Sequence, residues 1–145
     1  MSDITPERPS GGVQEQRLSV SQIPSLIMVV DDDPNSLILI SALIKSYGYE
    51  VIEAEDGGQA IGLLNEFCPK MIFMDLQMPI MDGCVATRHI RSMAHPYSSI
   101  PIIGLVAGAS REDYKRCRAA GMDDFISKPF RLEDIQRRLG LIPAA

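Results

Sequence analysis

Short apolar runs alternate with helix-like segments along most of this chain. The runs occupy residues 26–30, 51–52, 71–74, 100–106 and 125–126. Four helical patterns separate these runs, and a fifth follows the last one. Strands that alternate with helices of this length predict βαβ units and one parallel sheet with helices on both faces. No other feature of the sequence restricts the fold as strongly.

The polarity of each run predicts its place in the sheet. The first, third and fourth runs are continuously apolar, as expected of central strands that are buried on both faces. The second, Glu50–Ala54, and the fifth, Asp124–Ser127, contain polar residues, as edge strands do. Edges at runs two and five fit a doubly wound α/β fold with five parallel strands in the order 2-1-3-4-5.

Residues that favour helix ends lie where this alternation requires them. Asp33 and Pro34 are suited to the N-cap and first position of the first helix. Ser110 is suited to cap the fourth helix, and Gly121 to end it. The last helix is predicted to span Leu132–Leu139, because glycine and proline follow it closely.

Length and composition indicate one globular domain within the 145 residues, of which 46% are apolar. We expect residues 1–23 to form a flexible tail, 24–142 to form the domain, and 143–145 to be a short C-terminal end. The tail is rich in Pro, Gly and charged residues and has no apolar periodicity.

Charge and hydropathy exclude two classes of partner. The formal net charge of −5 leaves no excess of Lys and Arg to neutralise phosphates, so direct nucleic-acid binding is not expected. No signal peptide is evident, and no apolar run approaches the roughly 20 residues of a membrane span. Cys68, Cys84 and Cys117 are odd in number and lie in no metal-ligand spacing, so three reduced cysteines in a cytoplasmic protein are expected.

Acidic residues follow the first and third runs, where ligands bind in such sheets. The first run ends in Asp31, Asp32 and Asp33, and the third in Asp75. If these strands are neighbours, their carboxylates meet at one edge and repel each other unless a cation binds. Mg²⁺ prefers oxygen ligands, including one or two carboxylates. Solvated loop acids are the alternative for Asp31 and Asp33, and Asp33 is better explained as the helix cap.

Lys128 is predicted to lie at the same edge. It ends the fifth run, because Pro129 interrupts the hydrogen bonding of the strand. A lysine in such a place is usually only a surface charge. Beside three carboxylates, however, it forms an ion pair and can neutralise an incoming phosphoryl group.

Four segments together resemble the response-regulator receiver domain family. They read VVDDDP at 29–34, MDLQMPIMDG at 74–83, IPII at 100–103 and SKPF at 127–130. The resemblance extends from about Leu26 to about Leu139, and the second segment is most similar to receivers of hybrid histidine kinases. It implies a flavodoxin-like receiver fold and a phosphoacceptor in two-component signalling.

The resemblance also implies roles for individual residues. Asp75 is the phosphoacceptor, Asp32 a direct Mg²⁺ ligand, and Asp31 a ligand through water. The backbone carbonyl of Gln77 completes the protein's ligands, and Lys128 pairs with the acceptor carboxylate or its phosphoryl group. The implied partners are a histidine kinase or histidine phosphotransfer domain and a downstream protein target. The implied catalysis is limited to the domain's own phosphorylation and dephosphorylation.

Two positions depart from the family pattern. Val106 stands where a Thr or Ser usually donates a hydrogen bond to the phosphoryl group, which predicts a weakened switch. It is also interpretable as a buried β-branched strand residue. The backbone N–H of Ala107 is expected to bind the phosphoryl group still. Phe125 takes the place of the switch aromatic, and packing of an edge strand explains it equally well.

Two other functions are compatible with the same residues. A metal-dependent phosphohydrolase also uses a nucleophilic Asp, but it usually has a second acid where this chain has Gln77. A pseudo-receiver that only binds proteins is favoured by Val106, and phosphorylation of Asp75 distinguishes it from a phosphoacceptor.

The first helix has one apolar residue on its outer face. A helical wheel places Ile38 opposite the stripe that faces the sheet, which suggests a partner surface. The predicted stripe consists of Leu37, Ile40, Leu43, Ile44 and Tyr47.

Overall fold

The computed structural model describes residues 25–142 and has one five-stranded parallel sheet. The strand order is β2-β1-β3-β4-β5, which confirms the predicted doubly wound fold. The predicted tail at 1–23 and the C-terminal end at 143–145 lie outside the described residues. The strands are β1 (Leu26–Val30), β2 (Glu50–Ala54), β3 (Met71–Asp75), β4 (Ile102–Val106) and β5 (Asp124–Ser127).

Within the described part of the chain, five α-helices connect and follow the strands, and a 3₁₀-helix at Tyr97–Ser99 precedes β4. Because this 3₁₀-helix ends just before the predicted fourth run, β4 begins at Ile102 rather than at residue 100, where that run was predicted to begin. Within residues 25–142, no helix is long and apolar enough to cross a membrane. The helices are α1 (Pro34–Ser46), α2 (Gly57–Leu63), α3 (Gly83–Arg91), α4 (Arg111–Ala120) and α5 (Leu132–Leu139).

The helices divide between the two faces of the sheet, and each face has its own apolar core. Alternate residues of a strand point to opposite faces, so Ile27 and Met28 belong to different cores. One core contains residues of α1 and α5, among them Ile40 and Ile135. The other contains residues of α2, α3 and α4. Strands β2 and β5 are partly exposed, as expected of edges.

The predicted helix ends match the structure. The carboxylate of Asp33 accepts the N–H of Asn35 at 3.1 Å and caps α1. The hydroxyl of Ser110 accepts the N–H of Asp113, whose carboxylate accepts the N–H of Ser110 in return. Gly121 ends α4 with a φ of 118°, a conformation that few residues other than glycine adopt readily.

The predicted stripe of α1 is mostly correct. Leu37, Ile40 and Ile44 are buried, and Leu43 is half-buried. Tyr47 is an error in the prediction: α1 ends at Ser46, so Tyr47 is the C-cap and its side chain is 37% exposed.

The expectation of three reduced cysteines is wrong for two of them. Cys84 in α3 and Cys117 in α4 form a disulfide, and their Cα atoms are 4.8 Å apart. Their separation of 33 residues in sequence gave no sign of this contact, which arises because α3 packs beside α4. Cys68 is free and exposed, as expected.

Gly83 lies where α3 begins, directly against the end of β3. Its N–H donates to the carbonyl of Leu76 at 2.9 Å. A β-carbon at this position would overlap the backbone carbonyl oxygen of Asp75. The close approach of α3 to the end of β3 therefore requires a glycine here.

Gly83→Ala should destabilise the domain by about 1–3 kcal/mol, because backbone would have to move to relieve the overlap. Gly62→Ala is the matched control: Gly62 is in α2, and a β-carbon there meets no atom within 4 Å. This variant should gain about 0.5–1 kcal/mol from helix propensity. Urea denaturation measures both, and equal effects of the two substitutions would contradict the close approach.

Candidate functional site

Three carboxylates converge at the carboxyl edge of the sheet. Asp31 and Asp32 directly follow β1, and Asp75 is the last residue of β3. Because β1 and β3 are neighbours in parallel register, their ends lie at the same edge. One oxygen from each carboxylate lies within 4.8 Å of the others. Asp31 is fully buried, Asp75 is 6% exposed, and Asp32 is exposed.

Lys128 brings the balancing positive charge to this cluster. Its Nζ lies 2.8 Å from Oδ2 of Asp31 and 3.6 Å from Oδ2 of Asp75. Its backbone N–H donates to the carbonyl of Val106 at 2.7 Å, which holds the end of β5 against β4. The closer partner of the ammonium is thus Asp31, and the acceptor carboxylate, which the family resemblance implied as a partner of Lys128 together with its phosphoryl group, is the more distant one.

The environment of Asp75 favours its protonated form when no cation is bound. Burial and then the negative charge of Asp31 raise the pKa of Asp75 from 3.8 to about 7. The ammonium of Lys128 and the backbone N–H of Gln77, which donates at 3.3 Å, lower this pKa but do not cancel the rise. A cation at the cluster reverses the balance, because it stabilises the carboxylate.

Lys128 remains charged in this site. Burial lowers the pKa of its ammonium, but the hydrogen bond to Asp31 and the charges of Asp75, Asp31 and Asp33 outweigh burial and raise the pKa above its usual value. A permanent positive charge therefore lies beside Asp75.

A cleft of about 190 Å³ opens beside Asp75. Six of its lining residues were predicted from the sequence, and Leu76 and Ala109 were not. Asp31 lies beneath the cleft rather than in its wall, because it is fully buried. The lining residues are Asp32, Asp75, Leu76, Gln77, Val106, Ala107, Ala109 and Lys128.

Val106 and Ala107 form one wall of this cleft where β4 ends. Val106 is 2% exposed and belongs to the apolar core, which fits the interpretation as a buried strand residue. Its side chain has no donor for an oxygen in the cleft. Ala107 is exposed at the start of the loop before α4.

Phe125 is half-buried on β5 and packs against α4. Its ring meets the ring of Tyr114 edge-on at 5.0 Å, and the guanidinium of Arg118 lies 5.2 Å from its centroid. A β-carbon on Gly104 would overlap the Phe125 ring, so the glycine leaves room for it. These contacts agree with the packing interpretation, and a switching role stays a prediction.

The acidic cluster suits a hard divalent cation. All of its donors are carboxylate oxygens, and Asp32 and Asp75 both face the cleft. Mg²⁺ is commonly held by one or two carboxylates, with waters or phosphate oxygens in its other positions. Asp31 is already paired with Lys128, so Asp32 and Asp75 are the residues best placed to bind Mg²⁺ directly.

The doubly wound fold with an acidic cleft at the carboxyl edge of its sheet is the arrangement expected of a receiver domain. Comparison with known proteins agrees with this class. Residues 27–140 match the family model of the response regulator receiver domain. The chain belongs to this family.

Its relatives include sensor kinases that are much longer than this chain. It is 37% identical over 103 residues to the CAI-1 autoinducer sensor kinase/phosphatase CqsS of Vibrio cholerae, covering 71% of this chain and 15% of the relative. It is 36% identical over 116 residues to the sensor histidine kinase RcsC of Escherichia coli, and the match covers 80% of this chain and 12% of that relative.

A receiver domain of known structure is similar to this chain over most of its length. The receiver domain of the sensor histidine kinase PA1611 of Pseudomonas aeruginosa has a magnesium ion coordinated in its active site cleft. It superposes with a TM-score of 0.76 at 36% identity, covering 83% of this chain and 98% of that one.

The raised pKa of Asp75 predicts a pH-dependent stability. In EDTA, folded wild type holds a proton on Asp75 between about pH 4 and pH 7 that the unfolded chain has lost, so stability falls as pH rises through this window. Asp75→Asn removes this loss. At about pH 8 the variant should be more stable by roughly 1 kcal/mol or more, about 4 °C in Tm.

The difference should shrink towards about pH 4, where the folded wild type is protonated at Asp75. Saturating Mg²⁺ at about pH 8 should raise the Tm of the wild type more than that of Asp75→Asn, because the cation favours the carboxylate. Thermal denaturation measures both effects. Parallel pH profiles for the two proteins in EDTA would contradict the raised pKa.

Proposed function

We propose that this domain is the phosphoacceptor of a two-component signalling system and takes a phosphoryl group from a phosphohistidine onto Asp75. The observation that carries the proposal is the environment of Asp75. A carboxylate at the end of β3 borders an open cleft, with a lysine ammonium at 3.6 Å and two further carboxylates beside it. We place the domain in the cytoplasm, where phosphohistidine donors are formed from ATP.

In the proposed reaction, a carboxylate oxygen of Asp75 attacks the phosphorus of the phosphohistidine. The new O–P bond forms as the N–P bond breaks, and the imidazole nitrogen leaves. Lys128 stabilises negative charge on the transferring oxygens, and the N–H of Ala107 donates to one of them. Attack by water on the same phosphorus later restores the carboxylate. The domain therefore catalyses only its own phosphorylation and dephosphorylation.

We further propose Mg²⁺ as the cofactor, held by Asp32 and Asp75 directly, by Asp31 through water, and by the backbone carbonyl of Gln77. When bound, the ion neutralises charge on the phosphoryl oxygens and on the carboxylate cluster. The oxygen donors of the cluster support this assignment.

The surface beside the cleft suits a helical partner that carries the phosphohistidine. A shallow groove lies between α1 and the segment that follows β5, and it shares Lys128 with the cleft. Its lining residues are Asn35, Ser36, Leu39, Lys128, Pro129 and Phe130. Leu39 is 48% exposed in this groove, and Ile38, which precedes it in α1 but does not line the groove, is 68% exposed. We propose that a histidine kinase or histidine phosphotransfer domain docks here, and that the signal then passes to a downstream protein target.

The alternative is a pseudo-receiver that only binds proteins. Val106 supports it, because the wall of the cleft lacks the hydroxyl donor that the family usually has there. A phosphohydrolase is less well supported, because the amide of Gln77 cannot act as a proton donor in place of a carboxylic acid. The net charge of −5 also argues against a direct nucleic-acid partner.

Acetyl phosphate with Mg²⁺ should phosphorylate the wild type at Asp75. Asp32→Ala should reduce the initial rate at least about tenfold, because it removes a cation ligand. Asp33→Asn is the matched control: it removes a neighbouring charge but keeps a good N-cap for α1, and it should react like the wild type. Intact-mass measurement gives the rates.

Labelling of Asp32→Ala at the normal rate in EDTA would contradict the cation site. A phosphosite mapped to another residue would contradict the role of Asp75. No phosphoryl uptake by folded wild type would instead establish the pseudo-receiver.

Ile38→Glu should slow phosphoryl transfer from a phosphorylated histidine phosphotransfer domain of the same organism by about tenfold, because a charge is buried at the docking surface. Its labelling by acetyl phosphate should not change. Leu141→Glu is the control, since Leu141 is 63% exposed beyond the C-terminus of α5, at the opposite edge of the sheet. Equal losses for both variants, or loss with acetyl phosphate as well, would exclude this docking surface.

A further inference from the structure

The disulfide between Cys84 and Cys117 joins α3 and α4, the helices that follow two of the loops lining the cleft. Cys84 is the second residue of α3, and Cys117 lies near the middle of α4. Both residues are fully buried in the core between these helices and the sheet. The Cα–Cα distance of 4.8 Å lies within the range that disulfides span.

One end of this crosslink is fixed to the acceptor strand. Cys84 directly follows Gly83, which packs against the backbone carbonyl of Asp75 with no room for a side chain. The first turn of α3 is also capped by Asp82, whose carboxylate accepts the N–H of Val85 at 2.9 Å. Cys84 therefore belongs to a rigid part of the site.

The other end lies in the element that follows the opposite wall of the cleft. The loop through Ala107 and Ala109 lines the cleft and leads directly into α4 at Arg111. Gly108 in this loop has a φ of 68°, and no atom lies within 4 Å of where its β-carbon would be. A displacement of this loop in response to a phosphoryl group would displace α4, on which Cys117 lies.

A non-covalent contact parallels the crosslink. Arg116, next to Cys117, pairs at 3.3 Å with Asp82, two residues before Cys84. The side chain of Arg116 is 44% exposed, and an exposed pair of this kind contributes little to stability. The covalent bond is therefore a much stronger link between α3 and α4 than this ion pair.

We propose that Cys84 and Cys117 form a redox-controlled crosslink that, when oxidised, holds α4 against α3 and suppresses the response of α4 to phosphorylation. The inference rests on the proposed phosphoacceptor function. Oxidation joins the two sulfurs, and the two thiols lose two electrons and two protons. A small-molecule disulfide accepts them and is reduced to two thiols by exchange through a mixed disulfide.

The burial of both sulfurs makes the exchange depend on transient separation of α3 from α4. The exposed Cys68 reacts with small disulfides without such opening, so it has to be removed from the test. Cys68→Ser leaves the buried pair unchanged and serves as the reference protein.

The experiment compares this reference protein in dithiothreitol and in oxidised glutathione. Intact mass under denaturing conditions should show the loss of two hydrogens on oxidation and their return on reduction. Hydrogen exchange of α4 amides that open by unfolding should slow roughly a hundredfold in the oxidised form. Beryllofluoride with Mg²⁺ should change α4 exchange in the reduced form and change it little in the oxidised form, while acetyl phosphate labels Asp75 in both.

Cys84→Ala and Cys117→Ala, each with Cys68→Ser, should behave as the reduced form in either buffer. The proposal is overturned if oxidation removes no hydrogens, or if the crosslink forms but α4 exchange and its response are the same in both buffers. Loss of labelling on oxidation alone also overturns it, because the crosslink would then act on phosphoryl transfer. Absent labelling in both buffers would refute the proposed function, while the exchange comparison without beryllofluoride still tests the crosslink.

Discussion

The convergence of carboxylates at one edge of the sheet is the constraint on which the site depends. A parallel sheet ends its central strands together, so Asp31 and Asp75 come close although they are far apart in sequence. Their mutual repulsion and burial are costly, and Lys128 at 2.8 Å from Asp31 compensates part of this cost. Burial, and after it the repulsion that remains, favours a proton on Asp75 or a cation beside it. The same feature that destabilises the metal-free site thus favours a divalent cation, in line with the proposed Mg²⁺ site.

Close packing behind the site keeps this arrangement in place. Gly83 lets α3 begin against the end of β3, and Gly104 leaves room on β4 for the ring of Phe125. The N–H of Lys128 bonds to Val106 and fixes the end of β5. The chemical groups of the site therefore depend on positions that carry no functional group themselves. Val106 belongs to this packing, which explains why a β-branched side chain stands there. The packing does not explain why the residue is Val rather than Thr, which has the same shape and a hydroxyl.

The site combines the acceptor Asp75 with Val106, which stands in the wall of the cleft where the family usually has Thr or Ser. The acids and Lys128 have the arrangement expected for phosphoryl transfer, so under the proposed function Val106 would affect the response to phosphorylation rather than the chemistry. The proposed redox crosslink between α3 and α4 would act on the same response. Because Val106 has no hydroxyl to link a phosphoryl group to the β4–α4 loop, the movement of α4 would then depend more on its other contacts.

The sequence by itself determined the alternation of strands and helices, and its polar runs fitted the strand order that brings the acids together. These features follow from local patterns: apolar runs of strand length, polar residues in the edge strands, and helix caps such as Asp33 and Ser110. Only the tertiary structure decided which groups touch. It paired Lys128 with Asp31 more closely than with Asp75, buried Asp31 beneath the cleft, and joined Cys84 to Cys117. Such contacts depend on how helices and loops far apart in sequence pack side by side, and no local pattern records that packing.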